Sequence, residues 1–171
     1  VKQFAQEDSQ YRRGLERAGK YLEMMRQIFI AYKLPPELVY IPVIESNFRV
    51  DAVSPAGAVG LWQFVRTTAK NYGLKVDKWI DERYDPEKST AAAAKYLRDL
   101  YEMLGDWDLV LAGYYMGEYR VHKAIGLHRT RDISTLAGTK SFGWGAKQYV
   151  SRVKAAILIA QHPEQYGLEL D

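Results

Sequence analysis

The spacing of apolar side chains constrains this chain more than any other feature. From Tyr11 to Tyr32, Leu15, Ala18, Leu22, Met25 and Phe29 recur three and four residues apart, the period of one face of a long amphipathic helix. Ala93, Leu97, Leu100 and Leu104 repeat the pattern, as do Ala146, Tyr149, Val150, Val153, Ile157 and Ala160. No segment alternates convincingly with a period of two, so any sheet is expected to be minor and the fold class is all-α. Turn chemistry supplies the boundaries. Pro36 suits a first helical position, and Glu37–Ser46 reads as a mostly apolar helix bent at Pro42. Val53-Ser54-Pro55-Ala56-Gly57-Ala58-Val59-Gly60 has the composition of an irregular loop. Gln63–Tyr72 reads as a short helix stopping at Gly73. Asp85-Pro86-Glu87 is a helix start, and the helix it opens closes at Gly105. Asp106 caps a helix whose Leu109–Ala112 run has no polar face, the mark of a buried helix, and the last helix ends near Pro163.

Composition then excludes several classes of function. At 171 residues, 47% hydrophobic and 26% charged, the chain matches one globular domain able to bury a core without staples. The domain is expected to span 1–171, with a long helix within 1–33 packing on a core of 34–167. Cysteine is absent, which removes disulfides, thiolate metal sites and cysteine nucleophiles. The 3 histidines, His122, His128 and His162, are too scattered for a metal-binding helix, so no metal and no cofactor is expected. Apolar runs such as Leu109–Ala112 and Ala155–Ala160 fall far short of the ~20 residues of a membrane span. The opening Val1-Lys2-Gln3-Phe4 is not a signal sequence, and the expectation is a trimmed fragment whose export signal or lipid anchor lies outside it. The formal net charge is +3. Arg13, Arg17 and Lys20 form a basic helical stripe without interleaved aromatics, which reads as a solvated face rather than a nucleic-acid site.

One residue stands out chemically. Glu45 closes the run Leu38-Val39-Tyr40-Ile41-Pro42-Val43-Ile44, with Leu38 seven and Ile41 four residues before it on the same helical face. A carboxylate among apolar groups loses solvation of its charge, so its pKa is expected to rise into the range of a general acid. The alternative is a glutamate at a helix end that turns into water or caps a neighbouring loop. The aromatic content of 13%, including Trp62, Trp79, Trp107 and Trp144, suits either core packing or the apolar faces of sugar rings.

Leu34-Pro35-Pro36-Glu37-Leu38, Glu45-Ser46 and Ser54-Pro55-Ala56-Gly57-Ala58-Val59-Gly60-Leu61-Trp62-Gln63 together resemble the lytic transglycosylases. Asp81-Glu82-Arg83-Tyr84-Asp85-Pro86-Glu87-Lys88-Ser89-Thr90 and Pro163-Glu164-Gln165-Tyr166-Gly167 extend the resemblance over nearly the whole chain. It implies a goose-type lysozyme-like helical bundle with a substrate cleft between lobes. It also implies cleavage of the MurNAc–GlcNAc bond of peptidoglycan by a single acid/base, Glu45, leaving a 1,6-anhydro end. Ser54, Gln63, Tyr114, Tyr115, Glu118 and Tyr149 would bind substrate, and Ser46, Gly57 and Gly60 would shape the site. The expected partner is the peptidoglycan glycan strand, bound by a monomer in the periplasm or at the outer membrane.

The chain departs from the family in one segment. Where the family reads Ala-Ala-Tyr-Asn-Ala-Gly-Glu-Gly, this sequence has Ala112-Gly113-Tyr114-Tyr115-Met116-Gly117-Glu118-Tyr119. Lys147-Gln148 also stands before Tyr149-Val150, where the family often has Glu-Thr. Three bulkier residues, Tyr115, Met116 and Tyr119, are expected to narrow or reshape nearby subsites. Two alternatives remain open at this level. One is a muramidase on the same fold, with Asp51, Asp85 or Glu118 activating water. The other is a peptidoglycan-binding domain that has lost turnover.

Overall fold

A computed structural model describes residues 9–168, and its elements are helices. They are α1 (Ser9–Ala31), a 3-10 helix (Pro36–Tyr40), α2 (Ile41–Ser46), α3 (Arg66–Asn71), a 3-10 helix (Glu82–Tyr84) and α4 (Pro86–Leu104). Then follow α5 (Trp107–Met116), α6 (Glu118–His128), α7 (Ile133–Ala137), α8 (Trp144–Gln161) and a last 3-10 helix (Pro163–Tyr166). Extended pairing among the described residues is confined to isolated bridges, Val53 with Val59, Val59 with Phe64 and Val76 with Asp81. Two compact units emerge, one holding the residues up to Lys95 and from Ala155 onward, the other Tyr96 to Lys154. Their boundaries fall inside α4 and α8.

In the first unit, α1 packs on the Pro36–Tyr40 helix and on α2. Its stripe behaves as the spacing requires: Leu15, Ala18, Met25 and Phe29 are buried, while Leu22 is half-buried. Phe29 stacks on Trp62 with ring centroids 5.5 Å apart. The fully buried Trp62 donates its indole N–H to Thr90 Oγ1 at 3.0 Å, which offsets the cost of taking its one polar atom out of water. Full burial of side chains of this size contributes about 1.5–3 kcal/mol each.

Two boundaries differ from expectation, each for a backbone reason. Glu37–Ser46 is not one bent helix but two pieces divided after Tyr40. Pro42 has no N–H to offer the Leu38 carbonyl, which instead accepts the N–H of Ile41 in a 3-10 pattern. The helix expected from Gln63 begins only at Arg66. Val59 N–H bonds the Phe64 carbonyl at 3.0 Å, and Gln63 sits in the left-handed region at φ 55, which a right-handed helix cannot include.

In the second unit, Leu109, Val110, Leu111 and Ala112 are buried, as an all-apolar helical face demands. Asp106 caps α5 by accepting the Leu109 N–H at 3.1 Å. The end of α4 is satisfied from a distance, with the Arg131 guanidinium donating to the Leu104 carbonyl. Gly117, at φ 93, makes the turn from α5 into α6.

Candidate catalytic site

Glu45 occupies the last turn of α2 and is half-buried. Ile41, four residues earlier on the same helix, is fully buried, so the carboxylate does share an apolar face. Leu38 is buried too, but it lies across the Tyr40–Ile41 break, and the seven-residue spacing does not set its direction. The hydroxyl of buried Ser46 lies 2.9 Å from the Leu61 carbonyl and 3.1 Å from that of Pro42, tying α2 to the following loop.

The exit from α2 is held from α1. Asn47 and Phe48 are successive left-handed residues, at φ 51 and 56. Such a conformation costs roughly 1–2 kcal/mol per residue, least for Asn. Phe48, 1% exposed, offsets its share by burying a whole ring, worth about 1.5–3 kcal/mol. Arg17 Nε donates to the Asn47 carbonyl at 2.9 Å. A Cβ on Gly14 would stand 2.0 Å from Asn47 Oδ1, so any larger residue there would displace that side chain. The basic stripe is therefore not uniformly solvated: Arg17 is half-buried and structural.

Residues 52–64 form a loop closed on itself. Ser54 Oγ accepts the Ala58 N–H at 3.0 Å, and Ser54 N–H meets the Ala58 carbonyl at 2.9 Å. Gly60 is at φ 81, and a Cβ there would lie 2.1 Å from the Arg83 carbonyl oxygen. Gln63 Nε2 donates to the carbonyls of Gly60 at 2.9 Å and Ala52 at 3.2 Å, so this nitrogen serves the loop itself. Gly57 supplies its carbonyl to a clamp that sequence reasoning missed. Arg83, 6% exposed, donates from Nη1 to the Gly57 carbonyl at 3.1 Å and the Phe64 carbonyl at 3.0 Å. Its Nε and Nη2 reach Asp81 at 2.9 and 2.7 Å. Those side-chain bonds, helped by the Arg83 backbone N–H and opposed by partial burial, hold the Asp81 carboxyl below the usual carboxylate range.

The other site positions belong to the second unit. Tyr114 lies against Tyr96, with centroids 5.6 Å apart, and the Tyr96 hydroxyl donates to Glu118 Oε2 at 3.1 Å. Tyr115 stacks on Tyr149 at 5.0 Å and 26°. The hydroxyl of Tyr115 would stand 3.0 Å from a Cβ on Gly145, which marks how closely the ring approaches that backbone. Of the three bulky departures, Tyr115 is 52% and Tyr119 75% exposed, and Met116 is half-buried. Large residues that project into solvent need no room in a core.

The model of the family described as "Transglycosylase SLT domain" matches residues 30–137. The chain belongs to this family. The chain is 40% identical over 138 residues to membrane-bound lytic murein transglycosylase D of Escherichia coli K12, covering 80% of the chain and 30% of that relative. It is also 38% identical over 88 residues to membrane-bound lytic murein transglycosylase C of Photorhabdus laumondii, covering 48% of the chain and 25% of the relative. It thus spans under a third of either protein. Among solved structures, the 70 kDa soluble lytic transglycosylase SLT70 of E. coli superposes with a TM-score of 0.70 at 22% identity, over 83% of this chain and 24% of that one. That likeness establishes the lysozyme-like helical fold.

The carboxylates named above for water activation make the following contacts. Asp51 pairs with Arg49 at 3.5 Å. Asp85 caps α4 by accepting the Lys88 N–H at 2.8 Å. Glu118 takes the Tyr96 hydroxyl. Among the described residues no group of His, Asp and Glu is arranged to hold a metal ion.

Proposed function

We propose that the SLT domain is a peptidoglycan lytic transglycosylase that cleaves the β-1,4 bond between MurNAc and GlcNAc with Glu45 as its single acid/base. Glu45 gives its proton to the leaving glycosidic oxygen as the C1–O bond breaks. The carboxylate then takes the proton of the MurNAc C6 hydroxyl while that oxygen bonds to C1, which closes a 1,6-anhydro ring and returns Glu45 to its acid form. No water is consumed, because the nucleophile is already part of the substrate and gains the advantage of an intramolecular reaction. A second carboxylate to activate water is therefore not required, unlike the usual glycosidase pair.

The observation that carries this reading is Glu45 itself, half-buried in the last turn of an apolar helix whose exit Asn47, Phe48, Arg17 and Gly14 fix from outside. A half-buried carboxyl at such a position is partly shielded from bulk water, which supports its use as a proton donor. The curated relatives are named as lytic murein transglycosylases, which supports the same class of substrate. The reading assigns glycan contacts to Ser54 and Gln63 and, within the second unit, to Tyr114, Tyr115, Glu118 and Tyr149. It uses no metal or cofactor and places a monomer on glycan strands in the periplasm or at the outer membrane. No described helix is long and apolar enough to cross a membrane.

Mass spectrometry of sacculi digested with the chain tests the reaction. Anhydro-muropeptides, one water lighter than reducing-end products, are the expected result, and hydrated ends would replace the transglycosylase by a muramidase. Glu45→Gln keeps the shape of the side chain and removes its transferable proton, with an expected loss of about 10²–10⁴ in rate. Near-parental solubilisation by that variant would remove Glu45 from the mechanism.

A further inference from the structure

We propose that the pocket beside α1 is a binding site for the charged peptide stems that peptidoglycan carries, a proposal that rests on the functional reading above. The pocket has a volume of about 360 Å³ and is walled by Arg17, Lys20 and Tyr21 of α1 and by Phe48, Arg49 and Asp51 of the segment after α2. That volume falls within the range of small-ligand sites. Neither wall is accidental. The α1 side is set by Arg17, whose Nε is anchored on the Asn47 carbonyl at 2.9 Å, leaving the terminal N–H groups of the guanidinium for a ligand. The facing side is set by the two left-handed residues, Asn47 and Phe48, which turn the chain so that Arg49 and Asp51 border the pocket.

Its chemistry selects the ligand. Three cations, Arg17, Lys20 and Arg49, meet one carboxylate, Asp51, so the lining attracts anions. Arginine forks match carboxylates in particular, by paired N–H···O bonds. Asp51 then argues against a polyphosphate or nucleic-acid backbone, which it would repel, and in favour of a ligand bearing an amine as well as carboxylates. Its ion pair with Arg49, at 3.5 Å between side chains 59% and 73% exposed, is weak enough to be exchanged for such a ligand. Tyr21 and Phe48 add apolar wall for an aliphatic segment between the charges. A stem peptide, with several carboxylates and a free diamino-acid amine, combines all three features.

The second wall of the pocket is close in sequence to Glu45. Arg49 follows Glu45 by four residues and Asp51 by six, so a fully extended chain limits their Cα separations from it to about 14 and about 22 Å. The stem is attached to the muramic acid whose bond is cut, and a three-residue peptide extends about 10 Å. A site for the stem on this domain would distinguish peptide-bearing glycan from bare glycan.

Isothermal titration calorimetry of the chain with the free stem tripeptide, L-alanyl-γ-D-glutamyl-meso-diaminopimelate, tests this directly. The tripeptide is expected to bind, and the same tripeptide with its carboxyls amidated is expected to bind at least tenfold more weakly. Lys20→Glu combined with Arg49→Glu, both at exposed side chains, is expected to weaken binding at least tenfold. Because the amidated peptide needs no variant, it keeps the test decisive should the double variant fold poorly. Equal binding of the two peptides, no binding by the parental chain, or full displacement by equimolar inorganic phosphate would each overturn the proposal. The readout does not depend on cleavage. A chain that cleaves glycan but binds no peptide loses this site alone, whereas one that binds peptide but cleaves nothing keeps the site and loses the functional reading.

Discussion

The loop 52–64 of the first unit and the segment 114–119 of the second both lie in family motifs, yet they are held together by opposite means. The loop is a backbone object. Gly57, Gly60 and Gln63 adopt positive φ, and Arg83 and Gln63 collect its carbonyls. The segment 114–119 is a side-chain object, in which rings lean on rings and two of the three departures project into solvent. A residue whose identity is dictated by a turn or a 2.1 Å approach has no acceptable substitute, whereas one whose side chain faces water has many.

Arg83→Met is the most severe way to break the comparison. It would leave the Asp81 carboxylate without its fork and strip the Gly57 and Phe64 carbonyls of a donor. Removing one partner of a largely buried pair costs about 3–5 kcal/mol, and chemical denaturation should show a loss of that size. A loss below about 1 kcal/mol would mean that the loop does not depend on the clamp. Gly60→Ala comes next. Its methyl would meet the Arg83 carbonyl in a conformation that disfavours any Cβ, so strain and overpacking together should cost about 2–4 kcal/mol.

A smaller effect follows from acid. The Asp81 carboxyl titrates below its unfolded value, first because of the Arg83 side-chain bonds. Its contribution to stability is therefore complete above the unfolded carboxylate pKa of about 3.9 and is lost as pH falls through the lower folded value. Denaturation midpoints measured from pH 6 down to about pH 2 should decline more steeply for the parental chain than for Asp81→Asn. Parallel curves would show that Asp81 gains nothing from its partner in the folded state.

These features differ in how far the sequence could disclose them. Helix caps were legible because they are local: Asp85 and Asp106 each bond an N–H three residues ahead. The α1 stripe was legible because its period of three and four is set by one element. The break before Pro42 was half legible, since proline announces a disturbance but not that the Leu38 carbonyl would be taken by Ile41. The start of α3 was misread because Val59, several residues upstream, decides the conformation around Gln63. The Arg83 clamp depends on carbonyls 19 and 26 residues away, and no spacing rule encodes such pairs. At the candidate site, the apolar run before Glu45 is visible in the sequence, but the contact of Arg17 with the Asn47 carbonyl just after it spans 30 residues and comes from a different helix.

The smallest effects belong to the segment 114–119, and they test whether its departures are fitted or merely tolerated. Tyr115→Asn would remove the stack on Tyr149, a contact worth about 0.5–1.5 kcal/mol. Tyr119→Ala should change stability by less than about 0.5 kcal/mol, since the ring is 75% exposed. Restoring the whole family pattern with Tyr115→Asn, Met116→Ala and Tyr119→Gly should then cost about 1–3 kcal/mol, part of it from a glycine placed inside α6. Activity separates the two histories. If the rings were fitted to a substrate, as the close approach of Tyr115 to Gly145 and its alignment with Tyr149 favour, the restored segment should cleave sacculi more slowly than the parent at equal folded concentration. If the rings accumulated after selection for cleavage had relaxed, restoration should raise turnover from a near-silent parent. Comparing Tyr119→Ala alone with the triple variant isolates the stacked pair, because Tyr119 contributes exposure without a stack. A strong gain on restoration would sink the fitted reading and favour a domain that binds peptidoglycan without cutting it.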